Sequence, residues 1–235
     1  ISVDTTNRSE EIKSVPGIKS TALRDELMNS SIRFWNRSAA RYARRPIPDQ
    51  NAYLRKIALT QKYLNPEMDG LEFGWGTGST ALIHAPRVRS YLATDASSRM
   101  IDIARERKAG KDADNLRFVV ATLEDMQHRQ QAFDAILGLN ILHLLRHSEV
   151  AIQRVFSMLK PGGVFISNTA CLQDTCPYLK PVASLARSLR LAPYVNFLSR
   201  CQLETHLECA GFQIDYRWVP ETSKDVYFLI AKKPE

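Results

Sequence analysis

Residues 71–80 read LEFGWGTGST: an acid, Glu72, then Gly74, Gly76 and Gly78 at every second position, with Trp75 between the first two. Glycine lacks a Cβ, so it takes left-handed backbone angles and lets a backbone come close to a ligand. Upstream, GLEF has the length and apolar content of a short buried strand. Downstream, Ser79 to about Ala85 reads as a helix. A glycine-rich turn from strand to helix marks the ligand-binding end of an open α/β sheet.

The following segments repeat the rhythm. RSYLATD is a strand and SSRMIDIARERKAG a helix closed by Gly110. NLRFVVA and AFDAILGL are strands, Ser148–Leu159 is a helix, and GGVFISNTA is a strand. Strands alternating with helices predict a doubly wound, mostly parallel α/β sheet with helices on both faces. After the helical QLETHLECAGF, FQIDYRWV and DVYFLIAKK are joined only by PETSK, too short for a parallel crossover. The last two strands are therefore expected to form an antiparallel hairpin.

The strand after the glycine loop ends at Asp95, placed to accept hydrogen bonds from both hydroxyls of a ribose. Loop and acid together indicate an adenosine-containing ligand. Gly76 to Ala81 also satisfies the dinucleotide pattern GxGxxG/A. Glu72, inside the strand, argues against a pyrophosphate there and suits a cationic ligand or the loop's own amides.

Ahead of the sheet, residues 1–20 are polar, contain Pro16-Gly17, and read as a loose arm. Thr21 to about Arg45 has a helical period, stopped by Pro46 and Pro48. Asp49 is the expected N-cap of a second helix that ends before Pro66. The predicted organisation is an arm over 1–20, a helical lid over 21–66, and a ligand-binding domain over 67–235 with an insert at about 172–200.

The chain has 235 residues and a net charge of +7. Between Arg33 and Lys62 eight basic residues face Asp49 alone. Such a segment fits an acidic surface, a phosphorylated substrate or an anionic headgroup, and equally a solvated helix face. No apolar run is long enough to span a bilayer, and ISVDTTNRSEE lacks a signal-peptide pattern. Cys171, Cys176, Cys201 and Cys209 lack zinc-ligand spacing. They predict reduced thiols, no metal, and a cytoplasmic protein, with peripheral membrane contact as an option.

LEFGWGTGSTAL, YLATDASSRMIDIA, FDAILGLNILHLL and LKPGGVFISNTA, in this order, resemble class I S-adenosylmethionine-dependent methyltransferases, in the branch of the ubiquinone/menaquinone C-methyltransferases and many small-molecule enzymes. The resemblance runs from about Asp49 to Lys233. It implies seven strands with the last antiparallel, S-adenosylmethionine as cofactor and S-adenosylhomocysteine as product. Glu72, Gly74, Trp75, Gly76, Thr77 and Gly78 would line the methionine and ribose part. Asp95 with Ala96 would hold the ribose, and Met100 would lie near the adenine. Thr122 stands where relatives often carry an Asp for the adenine amine, with the Leu123 backbone as substitute. Asn140 and His143 would lie beside the methyl group. Tyr42 would contact the cofactor as part of an N-terminal lid, with Phe34 and Trp35 toward the substrate.

Methyl transfer from a sulfonium needs alignment first and a base only when the nucleophile arrives protonated. His143 is the candidate base; as a helix residue it could equally be packing. The insert DTCPYLKPVASLARSLRLAPYVNFLSR mixes apolar residues with Lys180, Arg187, Arg190 and Arg200, suiting an amphiphilic or anionic acceptor, a membrane surface included. Its rival reading is a helix packed on the sheet. The expected function is methyl transfer to a small or lipid-like molecule. Two alternatives stand beside it: a relative whose cofactor binding is impaired by Trp75, where relatives have a small residue, and an RNA methyltransferase. GLNIL after the fourth strand is neither Asn/Asp-Pro-Pro-Tyr nor a cysteine site, which speaks against nucleic acid.

Overall fold

The computed structural model describes residues 21–76, 79–110, 112–126, 128–189 and 191–235. The expected arm over 1–20, Thr77, Gly78 and Arg190 lie outside them. Helix α1 (Thr21–Ala43) and helix α2 (Gln50–Gln61) precede the sheet. The prolines between them forbid a continuous helix, and the Asp49 side chain caps α2 by accepting from the Ala52 N–H at 2.8 Å.

The sheet then alternates with helices: β1 (Asp69–Phe73), α3 (Ser79–His84), β2 (Ser90–Asp95), α4 (Ser98–Lys108), β3 (Leu116–Val120), β4 (Phe133–Leu139), α5 (Ser148–Met158) and β5 (Leu159–Ala170). The insert supplies α6 (Leu172–Thr175) and α7 (Lys180–Ser188). The chain ends with α8 (Arg200–Cys209), β6 (Gln213–Trp218) and β7 (Val226–Lys232). The seven strands lie in the order β3-β2-β1-β4-β5-β7-β6. β7 runs antiparallel to β6, as the short PETSK connection requires, and antiparallel to β5 as well.

Two boundaries differ from the sequence reading. The helix from Ser79 stops at His84 and continues as a 3-10 turn over Ala85–Arg87, because Pro86 cannot donate to an α-helical ladder. β5 begins at Leu159, ahead of Gly162-Gly163, and pairs there with Phe133 before the register shifts. Gly162 has φ +73°, and a Cβ on Gly163 would meet the Lys160 carbonyl at 2.8 Å. Glycine at both positions lets one strand pass through this irregularity.

Both faces of the sheet are covered. Leu71, Ile136, Phe165 and Leu229 meet Ile152 and Val155 of α5 and Leu203 and Leu207 of α8. On the other face Tyr91, Leu137, Ile166 and Phe228 meet Leu64, Ala81 of α3, and Ile101 and Ala104 of α4. The strands therefore read as near-continuous apolar runs. α1 packs on α4, so the two N-terminal helices stand over the carboxyl ends of the strands.

Candidate active site

A cavity of about 1740 Å³ opens at the carboxyl ends of β1, β2, β4 and β5, walled by α1 and α2. Its floor begins with the glycine loop. Gly74 (φ +62°) and Gly76 (φ +66°) both take left-handed angles that side chains rarely adopt. A Cβ on Gly74 would come within 2.3 Å of Ile141, so the loop lies against the exit of β4. The Gly76 N–H donates to Asp95 Oδ2 at 2.8 Å, and the Ser97 N–H donates to Oδ1 at 2.8 Å. Burial raises the Asp95 pKa, and the two amide bonds only partly offset this. Each carboxylate oxygen retains lone-pair capacity for a ligand hydroxyl.

Trp75 lies under this loop. Its N–H donates to the Thr94 carbonyl at 3.2 Å. The indole, 6% exposed, stacks on Phe118 of β3 with ring centroids 4.5 Å apart, inside the apolar cluster below α3 and α4. An edge of it reaches the cavity, and its Nε1 has no hydrogen-bond partner among the described residues. Glu72 is 1% exposed and accepts from the Thr80 hydroxyl on Oε1 and the Tyr91 hydroxyl on Oε2, both at 2.8 Å. Burial outweighs these bonds and pushes its pKa up to about 7.

Met100, Ala96, Thr122 and Leu123 line the same cavity. The Thr122 hydroxyl is engaged in a local turn, donating to Asp125 Oδ2 at 2.7 Å. Asn140, with φ +58°, donates its N–H to the Asn168 carbonyl at 2.7 Å and accepts from Asn168 Nδ2 at 2.5 Å. Tyr42 and Trp35 form an edge-to-face pair 5.8 Å apart on the α1 wall. The Tyr42 ring lies 3.5 Å from where a Gly76 Cβ would be.

Two expected site residues are not brought to the cavity. His143 falls in a 3-10 turn after β4, where its Nδ1 accepts from the Ala170 N–H at 3.4 Å and its carbonyl accepts from the Asn196 N–H at 2.7 Å. Burial lowers its pKa to about 4, so it is a weak base held in packing. Phe34, one residue before Trp35, faces instead a separate surface recess with Arg37, Ser38, Arg41, Leu189 and Leu191. Adjacent helical positions point about 100° apart, which separates the two rings.

The sequence reading missed the α2 wall, where Ala52, Lys56 and Thr60 line the cavity at four-residue spacing. That period was the available signal. The insert reaches the cavity through Tyr194, whose ring lies under the Arg146 guanidinium at 4.5 Å and near that of Arg187 at 5.1 Å. No cluster of potential metal ligands occurs among the described residues.

Residues 71–163 match the family model described as a methyltransferase domain. The uncharacterized methyltransferase YcgJ of Bacillus subtilis is 30% identical over 137 residues, covering 58% of this chain and 49% of that protein. Its crystal structure superposes with a TM-score of 0.64 at 18% identity, over 77% of this chain and 99% of that one. The tRNA 5-carboxymethoxyuridine methyltransferase of Escherichia coli K12 is 32% identical over 96 residues, 40% of this chain and 37% of that protein. The hybrid PKS-NRPS synthetase mpsA of Macrophomina phaseolina is 33% identical over 119 residues, 47% of this chain and 3% of that protein. The chain thus spans about half or less of the length of these curated relatives. Strand order, glycine loop and family match agree: residues 71–163 are similar to a methyltransferase domain, and the whole sheet has the fold of S-adenosylmethionine-dependent methyltransferase structures.

Proposed function

We propose that this chain transfers the methyl group of S-adenosylmethionine to a small-molecule or lipid-like acceptor, within or near the ubiquinone/menaquinone-type branch. The observation that carries the reading is the junction of Gly76 and half-buried Asp95 on the floor of a cavity roomy enough for two ligands. The residues present fit the cofactor: left-handed glycines keep side chains out of the floor, and Asp95 has acceptor capacity beyond its two amide bonds. Bound there, S-adenosylmethionine supplies a methyl group on a sulfonium, already activated as a leaving group.

The chain's own part is to bind and orient. Asp95, held in place by the Gly76 and Ser97 amides, takes the hydroxyls, Met100 and Leu123 give apolar contact, and Tyr42 with Trp35 shield the pocket from water. No base is assigned. His143 is off the cavity and His84, which lines it, has its pKa lowered by burial to about 4. Orientation and exclusion of water carry the rate in this reading. Stacking of the Trp75 indole on Phe118 supports cofactor binding over the impaired alternative, because the ring has a place of its own in the core.

Calorimetric titration of S-adenosylmethionine and S-adenosylhomocysteine tests the reading. Micromolar binding, weakened at least about ten-fold in Asp95→Ala, is expected, since a charge-assisted hydrogen bond contributes about 1.5–3 kcal/mol. No binding in the wild type, restored in Trp75→Cys, would establish the impaired alternative. Transfer of labelled methyl into lipid, small-molecule and nucleic-acid fractions then sorts the acceptor. Label confined to nucleic acid would favour the RNA alternative suggested by the tRNA-modifying relative.

A further inference from the structure

Lys56 is a cation on the cavity wall with no ion pair among the described residues. It lies on the wall-forming face of α2, and burial lowers its pKa. Its ammonium donates one hydrogen bond, to Asn168 Oδ1 at 3.4 Å. No carboxylate among the described residues pairs with it. Asp49, the acid that acts on it through space, is occupied in capping α2 and in accepting from the Thr222 hydroxyl. A half-buried ammonium costs free energy unless paired, and one long bond to a neutral amide offsets little of that cost.

The groups around it extend the pattern. Asn168, 3% exposed at the end of β5, accepts from Lys56 with its oxygen and donates with its nitrogen to Asn140 Oδ1. That leaves the Asn140 amide nitrogen, just past the end of β4, as a donor without an acceptor among the described residues. Asn140 stands at φ +58°, a conformation asparagine tolerates better than most residues. The three side chains thus form a chain of donors beside the exits of β4 and β5, and all three line the cavity. Ile57 and Val226 provide apolar surface on the same cavity wall.

We propose that Lys56, with Asn140 and Asn168 positioned by each other, is the seat of an oxyanion on the methyl acceptor. The acceptor class is an acidic organic molecule, carrying a carboxylate or an ionised enol or phenol oxygen on an apolar body. An oxyanion gives Lys56 the partner it lacks and accepts from the Asn140 amide. It also spares that end of the cavity a base, because an acceptor bound as its anion arrives with its proton already gone. The proposal rests on the methyltransferase reading, and the experiment separates the two.

Protein saturated with S-adenosylhomocysteine is titrated calorimetrically with hexanoate and with hexanamide, which share a body and differ in charge. Failure of S-adenosylhomocysteine to bind would defeat the methyltransferase reading itself. With it bound, hexanoate is expected to bind at least ten-fold tighter than hexanamide. The preference should vanish in Lys56→Met and survive in Lys56→Arg. Equal binding of the two probes, no binding of either, or a preference unchanged by Lys56→Met overturns the oxyanion seat and leaves the cofactor site standing. The wild-type comparison needs no variant to fold.

Discussion

At the β1–β2 end of the cavity the ligand-facing groups are main chain and the half-buried Asp95 carboxylate, fixed by glycine angles and by the Trp75–Phe118 stack. At the β4–β5 end they are long side chains reaching in from α2, from the turn after β4 and from the insert. The first end has little freedom to vary, because its geometry is made by main chain and core. The second can be re-equipped by changing single side chains without disturbing the sheet. A shared cofactor suits the rigid end and a particular acceptor suits the adaptable one.

The sharpest way to break this comparison is to remove the core support of the rigid end. Trp75→Ala deletes a nearly buried ring from the cluster below α3 and α4. It should cost about 3–5 kcal/mol of stability in denaturant unfolding. A loss under about 1 kcal/mol would mean the loop holds its shape without the indole.

Next in size is a pH effect at Glu72. Its folded pKa is raised from 4.5 to about 7, so the folded state holds the proton more tightly than the unfolded state. The stability this gives is present below pH 4.5 and lost as pH rises through about 7. Glu72→Gln lacks that loss, so its stability relative to wild type should climb across this window by an amount on the order of 3 kcal/mol. His84, lowered to about 4, acts in the opposite sense in both proteins and cancels in the difference. A pH-independent difference would show that Glu72 stays ionised.

The smallest effect belongs to the insert. Leu185 of α7 is 63% exposed, and Leu185→Ser should change unfolding free energy by no more than about 0.5 kcal/mol. A larger loss would mean that α7 packs as part of the core.

The rigid end was also the legible one. Glycine spacing, a strand ending in Asp95 and the PETSK connection each reflect a backbone constraint, and such constraints leave few residue choices. The adaptable end was read less well. His143 looked catalytic by its place after β4, yet the turn that follows directs its Nδ1 to the Ala170 amide. Phe34 and Trp35 are neighbours in sequence, but α1 sends them to different recesses. Lys56 sat in a basic segment whose charges looked alike, and only the packing of α2 over the strand ends distinguishes it from the solvated ones. Which face of a helix meets a cavity depends on tertiary docking, and the basic pattern of residues 33–62 does not encode it.

The Trp75–Phe118 stack also ties the cofactor loop to the edge of the sheet. Among the described residues β3 pairs with β2 alone, and its Val119 and Val120 are 40% and 48% exposed. A strand with one paired edge and exposed side chains has few contacts to hold it closed in native-state fluctuations. Each opening of β3 takes away the ring on which the indole rests, so the loop and the edge strand form one cooperative unit of local unfolding. A ligand held by the loop is therefore expected to slow amide hydrogen exchange in β3, and exchange rates of Leu116–Val120 with and without S-adenosylhomocysteine check this.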